Sequence, residues 1–275
     1  MIDKKTIKIS SEKGVSSSFS ELINSYDLLK VFIWRDIKVR YKQTVLGVLW
    51  VILQPLFSMI IFTIFFGKLA KIPSGALPYT LFSLIGLTFW NLFSNSVSKA
   101  SDSVVVNEGI VKKVYFPRLI LPISAVLGSL IDFGLNLILL LILSIFLSYL
   151  PIPISIILIP LLALVTIGTA LGLGLILSSI NVRYRDVRYV LPFFIQISMF
   201  LVPVIYPLNI VDPANRMLMA FNPMTIVIET GRWLFVGGKF LYYDLVPISI
   251  ISLSAMLIIG VLFFKKTEDV FTDVI

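Results

Sequence analysis

The sequence predicts an all-α polytopic membrane protein: six transmembrane helices, an amphipathic amino-terminal interface helix, and short re-entrant helices between spans five and six. Three observations carry that prediction. The 275 residues are 58% hydrophobic and 14% charged, with a mean hydropathy of +1.00, far from the balance of a soluble domain. Five apolar stretches reach the roughly 20 residues that a spanning helix needs, since backbone groups in hydrocarbon must be satisfied inside the segment. Lys and Arg concentrate in alternate connections, which sets an orientation.

The inventory excludes several classes of function. With no cysteine and no histidine, disulfide frameworks, zinc sites and catalysis by thiolate or imidazole are out of reach, and no metal site is expected. The formal net charge of +8 belongs in so apolar a chain to cytoplasmic loops facing anionic membrane lipid rather than to a nucleic-acid surface. The first residues, Met1 to Ser20, are polar and lack a central apolar run, so no cleavable signal peptide is expected and the amino terminus stays in the cytosol.

Taken in order, residues 1–18 form a polar tail and 19–43 an amphipathic interface helix. Phe19, Leu22, Ile23, Tyr26, Leu29, Ile33 and Ile37 recur at helical spacing, and Ser18 with Glu21 suits a capping box. Arg35, Lys38, Arg40 and Lys42 beside Trp34 and Tyr41 suit a helix lying flat on an anionic cytoplasmic surface. The transmembrane domain, 44–275, has spans expected at about 46–66, 79–97, 123–149, 154–180, 190–206 and 245–264. The fifth is only just long enough and carries Pro192 and Pro203, which a spanning helix tolerates as kinks. With both termini inside, the cytosolic segments hold nine, four, three and two basic residues and the outer loops only five. This is the positive-inside arrangement of an inner-membrane protein with both termini cytosolic.

Residues 207–241 are too short to cross twice and too apolar for a solvated loop, so they are expected to dip into the outer leaflet and return. Asn222 and Pro223 should split them into two short helices, with Gly237 and Gly238 closing the second. The loop 101–122 sets Asp102, Glu108, Lys112, Lys113 and Arg118 around Val104, Val105, Val106, Ile110, Val111, Val114 and Tyr115, a mixed-charge knob with a small apolar core. Within the spans, Gln54, Asn91, Asn95, Asp132, Asn136 and Gln196 are costly in hydrocarbon and should face protein or water. Asp132 and Asn136 lie one turn apart, which suits helix–helix hydrogen bonding better than a proton relay, because the spans offer the acid no histidine or lysine partner. Gly168 and Gly172, with Gly174 beyond, make a small-residue packing face.

The run Arg35 to Leu56, RDIKVRYKQTVLGVLWVILQPL, resembles the signature of the permease subunits of ABC-2 type polysaccharide exporters, which serve O-antigen, teichoic acid and capsular polysaccharide. The stretch Asn181 to Pro192, NVRYRDVRYVLP, is similar to that family's loop between spans four and five, and Asn222-Pro223 matches a feature after its outer helices. The resemblance covers essentially the whole chain. It implies a homodimeric permease, two copies of a cytosolic ABC ATPase as partner, and a lipid-linked glycopolymer as substrate. The chain lacks the phosphate-cradling G-x-x-x-x-G-K-[ST], so it is expected to be no enzyme and to bind no cofactor, ATP and Mg being used by the partner.

The resemblance also implies roles. The 101–122 loop becomes the coupling element against the ATPase, with Asp102, Asn107, Glu108, Ile110, Val111, Lys112, Lys113, Tyr115 and Phe116 as its candidates. Arg35, Arg40 and Lys42, just before Leu46 and Gly47, stand where a diphosphate headgroup would need cations. Aromatic rings interleaved with amides would let a sugar chain slide, and Trp50, Gln54, Phe57, Phe89, Asn91, Phe193, Gln196 and Phe200 are the channel-lining candidates. A related drug or small-lipid efflux permease would share the topology but is expected to show a much larger outer loop or a different amino-terminal helix. An ion-coupled carrier would need internal repeats that the sequence does not show.

Overall fold

The computed structural model describes residues 25–42, 47–269 and 271. The expected capping box and the apolar residues Phe19, Leu22 and Ile23 lie outside the described residues, as does Leu46. The described residues are helical almost throughout. In order come α1 (Tyr26–Lys42), α2 (Gly47–Phe62), which runs on as a π-helical stretch (Thr63–Leu69), α3 (Tyr79–Val106), the single turn α4 (Glu108–Val111), α5 (Ile120–Leu127) and α6 (Ser129–Phe146). Then follow α7 (Ser155–Arg183), α8 (Val187–Ser198), α9 (Pro213–Ala220), α10 (Met224–Val236) and α11 (Val246–Glu268). Among the described residues, four segments are long and apolar enough to cross a membrane: Leu49–Leu69, Ile120–Phe146, Ser155–Arg183 and Tyr243–Glu268. Val187–Leu201 is a shorter apolar helix.

The organising helix is α3. Its 28 residues have the length to span, at about 1.5 Å rise per residue, but lack the hydropathy of the other four. The reason is position: α3 packs against α2, α5, α6, α7, α8 and α10, and every residue from Leu81 to Trp90 is buried. A helix sheathed in protein needs no oily outer face. Its buried Ser83 and Thr88 return their hydroxyls to the Thr80 and Leu84 carbonyls at 3.1 and 2.8 Å, which removes the cost of carrying them inward. Phe82, Phe89 and Phe93 are core residues of this helix. Phe89 packs on Phe133 with ring centroids 5.6 Å apart, and a Cβ on Gly231 would sit 2.8 Å from its ring.

Close helix crossing explains the small-residue face. A Cβ on Gly172 would lie 2.8 Å from the Met256 backbone, one on Gly260 would collide with the Gly172 carbonyl, and one on Gly174 would lie 2.5 Å from the Ala100 Cβ. Gly172 therefore lets α7 touch α11 backbone to backbone, and Gly174 lets α7 close on α3.

Two expected boundaries shift. Helix α3 does not end near residue 97 but runs to Val106, so the first six residues of the expected 101–122 loop are helical. The fifth apolar helix ends at Leu201; Pro192 lies inside it, whereas Pro203 falls in a non-helical segment whose Val202, Val204 and Ile205 are buried. Asn222 and Pro223 do separate α9 from α10, with the Met224 amide donating to Asn222 Oδ1 at 3.1 Å. After α10, Gly237 and Gly238 take φ of 75° and 77°, a region that glycine enters at no steric cost.

A second apolar cluster joins Phe32 of α1 to Val104, Val111, Phe116, Leu119, Ile120 and Leu121, and to Leu175, Val182, Phe264 and Phe271. It ties the interface helix, the 101–122 connection and both chain-distal helices into one block. The expected knob is thus less exposed than its charges suggest: Val104, Val111 and Phe116 are buried, while Val106, Val114 and Tyr115 stay exposed.

Candidate functional site

The interface helix docks on α5 through Phe32, which stacks near Phe116 at 5.8 Å. Phe32 was absent from the expected apolar face, whose Tyr26 is instead exposed. This docking brings the end of α1 against α3 and α6. There Asp132 of α6 collects three donors. Its Oδ2 accepts from Arg40 Nη1 at 2.5 Å and from Lys99 Nζ at 2.9 Å, and its Oδ1 accepts from the Tyr41 hydroxyl at 2.5 Å. Lys99 also donates to Ser129 Oγ at 3.1 Å. Burial, and after it the Asp132 carboxylate, pushes the Tyr41 hydroxyl up to about 12, so the phenol remains a donor at neutral pH.

The expectation that Asp132 lacks a lysine partner is corrected by this arrangement. Lys99 follows the expected end of span two, but α3 runs on to Val106 and brings the lysine against Asp132. Nor does Asp132 bond to Asn136, whose buried Oδ1 has no hydrogen-bond partner among the described residues.

In front of this cluster lies a cavity of about 570 Å³ lined by Arg35, Arg40, Lys99, Asp36, Asp102 and Asn107, among others. Arg35 pairs with its neighbour Asp36 at 2.7 Å. Asp102 accepts from Asn181 Nδ2 at 3.0 Å and pairs with Arg188 at 3.4 Å, so it ties α3 to α7 and α8 and is not simply a charge on an exposed knob. Of the headgroup candidates, Arg35 and Arg40 face the cavity, Lys42 is exposed, and Gly47 opens α2.

From Asn91 onward, the residues of α3 that are not buried are Asn91, Ser94, Asn95, Ser98, Lys99, Asp102, Val105 and Val106. They recur at three- and four-residue spacing, so they share one face. A helix otherwise enclosed thus opens a single polar stripe, and that stripe leads to the cavity, where Ser98, Lys99, Asp102 and Val106 are wall residues.

The other channel-lining candidates divide. Trp50, Gln54 and Phe57 are exposed on one face of α2, Phe193 and Gln196 are exposed on α8, and Phe200 is exposed in the turn Met199–Leu201 that follows it. Asn91 is half-buried on the α3 stripe. Phe89 is 1% exposed and lines nothing, because α3 is enclosed at that level. Among the coupling candidates, Glu108 and Lys112 pair at 2.8 Å one turn apart, and the lysine contact holds the Glu108 carboxyl below its ordinary range. Lys112, Lys113 and Tyr115 are exposed, Asn107 and Ile110 half-buried, and Val111 and Phe116 buried.

Two residues that the sequence reading did not single out prove central on the opposite side of the bundle. Arg232 and Glu229, both on α10, are buried and paired at 2.8 Å. Arg232 Nη2 donates to the Val204 carbonyl at 2.8 Å, its guanidinium lies 3.4 Å from the Phe82 ring centroid, and Glu229 accepts from the Leu208 amide at 3.2 Å. Together they pin the irregular 202–208 segment. An acid and a base three apart in an apolar helix was the available signal.

Comparison with known proteins agrees with this architecture. The ABC-2 type transporter family profile matches residues 27–236. The chain is 31% identical over 254 residues to an O-antigen export system permease protein RfbA of Klebsiella pneumoniae, covering 91% of this chain and 95% of that protein. It is 30% identical over 217 residues to the RfbA permease of Myxococcus xanthus, covering 78% and 82%. To the polysialic acid transport protein KpsM of Escherichia coli it is 24% identical over 209 residues, covering 74% and 79%. A bundle built on one enclosed helix, with a cation-lined cavity beneath a docked amphipathic helix, is in this chain the architecture of a member of the ABC-2 type transporter family.

Proposed function

We propose that the chain is the permease subunit of an ATP-driven exporter that carries a lipid-linked cell-surface polysaccharide, of O-antigen or related type, from the cytosol across the inner membrane. The observation that carries this reading is the α3 stripe: amides and hydroxyls from Asn91 to Ser98 that run into a cavity holding Arg35, Arg40 and Lys99. Cations suit a diphosphate headgroup, and guanidinium groups bind phosphate oxygens in fork geometry. Hydroxyl and amide groups suit a sugar chain that must slide without tight binding. Sequence similarity to O-antigen and polysialic acid transport proteins over most of the chain supports the same substrate class.

In this reading the four strongly apolar segments, α3 and Val187–Leu201 make six crossings, α9 and α10 dip into the outer leaflet, and both termini are cytosolic. Two copies of the chain pair, and the exposed faces of α2 (Trp50, Gln54, Phe57) and of the apolar helix Val187–Leu201 (Phe193, Gln196, Phe200) contribute to the translocation path. Two cytosolic ATPase subunits use ATP and Mg and press on the tip formed by Val106, Lys112, Lys113, Val114 and Tyr115. Proteoliposomes carrying the chain and its ATPase test this. ATP-dependent appearance of lipid-linked glycan on the far side is expected; movement by the permease alone on an ion gradient, or ATP-driven movement of small lipids only, overturns it.

A further inference from the structure

On the side of the bundle opposite the cation-lined cavity, a second cavity of about 200 Å³ lies between the end of α10, the connection that follows it and the segment around Pro207. It is smaller than the roughly 300–1,000 Å³ that encloses a drug-sized ligand, so it suits a single ring-sized unit. Aromatic rings form one wall. Trp233 and Phe240 meet edge to face with centroids 5.7 Å apart, and Phe240 and Tyr242 do the same at 6.2 Å. The indole is fixed by its Nε1, which donates to the Gly238 carbonyl at 2.9 Å. All three rings are half-buried, so each keeps part of its surface open. Glu229 and Arg232 also line the cavity, and because they pair at 2.8 Å this side of it is polar without net charge. Glu229 takes its hydrogen bonds from the Leu208 amide and from Arg232 on Oε1 alone, which leaves Oε2 to accept from a ligand hydroxyl. Asn209, Lys239 and Tyr242 add an amide, an ammonium and a hydroxyl to the walls, and none of these three side chains hydrogen-bonds another described residue.

We propose that this cavity is an exit subsite for one pyranose unit of the exported glycan, stacked on the wall of Trp233, Phe240 and Tyr242 and hydrogen-bonded through its hydroxyls to Glu229, Asn209 and Lys239. This rests on the function proposed above, and the outward-facing position of the cavity rests on the orientation given there. The physical reason is a match of surfaces. A pyranose has a flat C–H face and a rim of hydroxyls. The face suits aromatic rings, whose own faces are apolar and carry partial negative charge, and the hydroxyls suit a rim that both donates and accepts. An anion is matched less well, because Arg232 is already neutralised by Glu229 and Lys239 is exposed to water, where a single charge pair contributes little. A site that holds one unit of a long chain weakly opposes backward slipping while still letting the next unit take its place.

Saturation-transfer NMR on the purified permease–ATPase complex in nanodiscs tests this, with aromatic protein protons irradiated and the methyl glycosides of mannose, glucose, galactose and N-acetylglucosamine as probes. At least one of the four should receive saturation on its ring protons. Tyr242→Leu should weaken that sugar's binding about tenfold. The double variant Asn209→Ala with Lys239→Ala, which removes two exposed side chains and so leaves the fold intact, should weaken it about fivefold. Phe146→Leu, at a ring 86% exposed elsewhere on the surface, should change nothing. If none of the four sugars receives saturation, the three rings are interfacial anchors and the assignment is overturned. Transfer that persists at wild-type strength in both cavity variants places the sugar elsewhere and overturns it too. Displacement of the sugar by glycerol 3-phosphate would make the cavity a lipid-headgroup site, again against the assignment. If a pyranose binds here and ATP-driven glycan export nevertheless fails in proteoliposomes, the sugar site stands and the exporter reading falls.

Discussion

Asp132 holds the end of the interface helix to the bundle through Arg40 and Tyr41, so single side chains here report on docking as well as charge. The Tyr41 hydroxyl is pushed up to about 12, above the ordinary 10 of the unfolded chain. A raised value means that its donation to Asp132 contributes fully below pH 10 and is lost as pH rises through about 12. The alkaline ultraviolet titration of wild type minus Tyr41→Phe should show one tyrosine titrating near 12; one titrating near 10 would place that hydroxyl in solvent. On the far side of the bundle, Arg232 and Glu229 are buried together, and removing one leaves the other uncompensated. Arg232→Met is expected to cost about 3–5 kcal/mol in thermal or denaturant unfolding, with part recovered when Glu229→Leu is added. An Arg232→Met protein as stable as wild type would show that water reaches the pair.

At the scale of elements, the connection after α3 separates into a buried half and a presented half. Val111 belongs to the apolar cluster around Phe32 and Phe264, whereas Val114 and Tyr115 are exposed beside Lys112 and Lys113. Val111→Asp should therefore destabilise the permease itself by about 2–3 kcal/mol, the cost of burying an unsatisfied charge-bearing group. Val114→Asp should leave its melting temperature unchanged and reduce ATPase copurification. If Val114→Asp retains the ATPase as well as wild type does, the exposed tip is not where the partner binds. The charges and valines of this segment were readable in the sequence, but which valines turn inward was not. That depends on Phe32 arriving from α1, some 80 residues earlier in the chain. Likewise the glycines at 168 and 172 announced a close crossing, while their partners, Leu253, Met256 and Gly260 of α11, are chosen by the packing of distant helices.

For the whole molecule, orientation is the property most exposed to a direct test. The sequence contains no cysteine, so a single introduced thiol reports one position. Lys113→Cys should react with a membrane-impermeant maleimide only in inside-out vesicles, and Gly238→Cys only from the outside of intact cells. The opposite pattern would invert the topology and move the cation-lined cavity to the outer surface.

The sequence by itself determined that this chain is an apolar helical bundle, where its most hydrophobic helices lie and that its charge is asymmetric, because these depend on local composition and the cost of unpaired backbone in hydrocarbon. It also displayed Arg35 and Arg40 as cations just ahead of the first apolar stretch. Only the tertiary structure decided that α3 is the enclosed hub, that Phe89 is core, and that Lys99 and Arg40 meet on Asp132. Burial and charge pairing are properties of neighbours, and residues 40, 99 and 132 become neighbours only when three helices pack together.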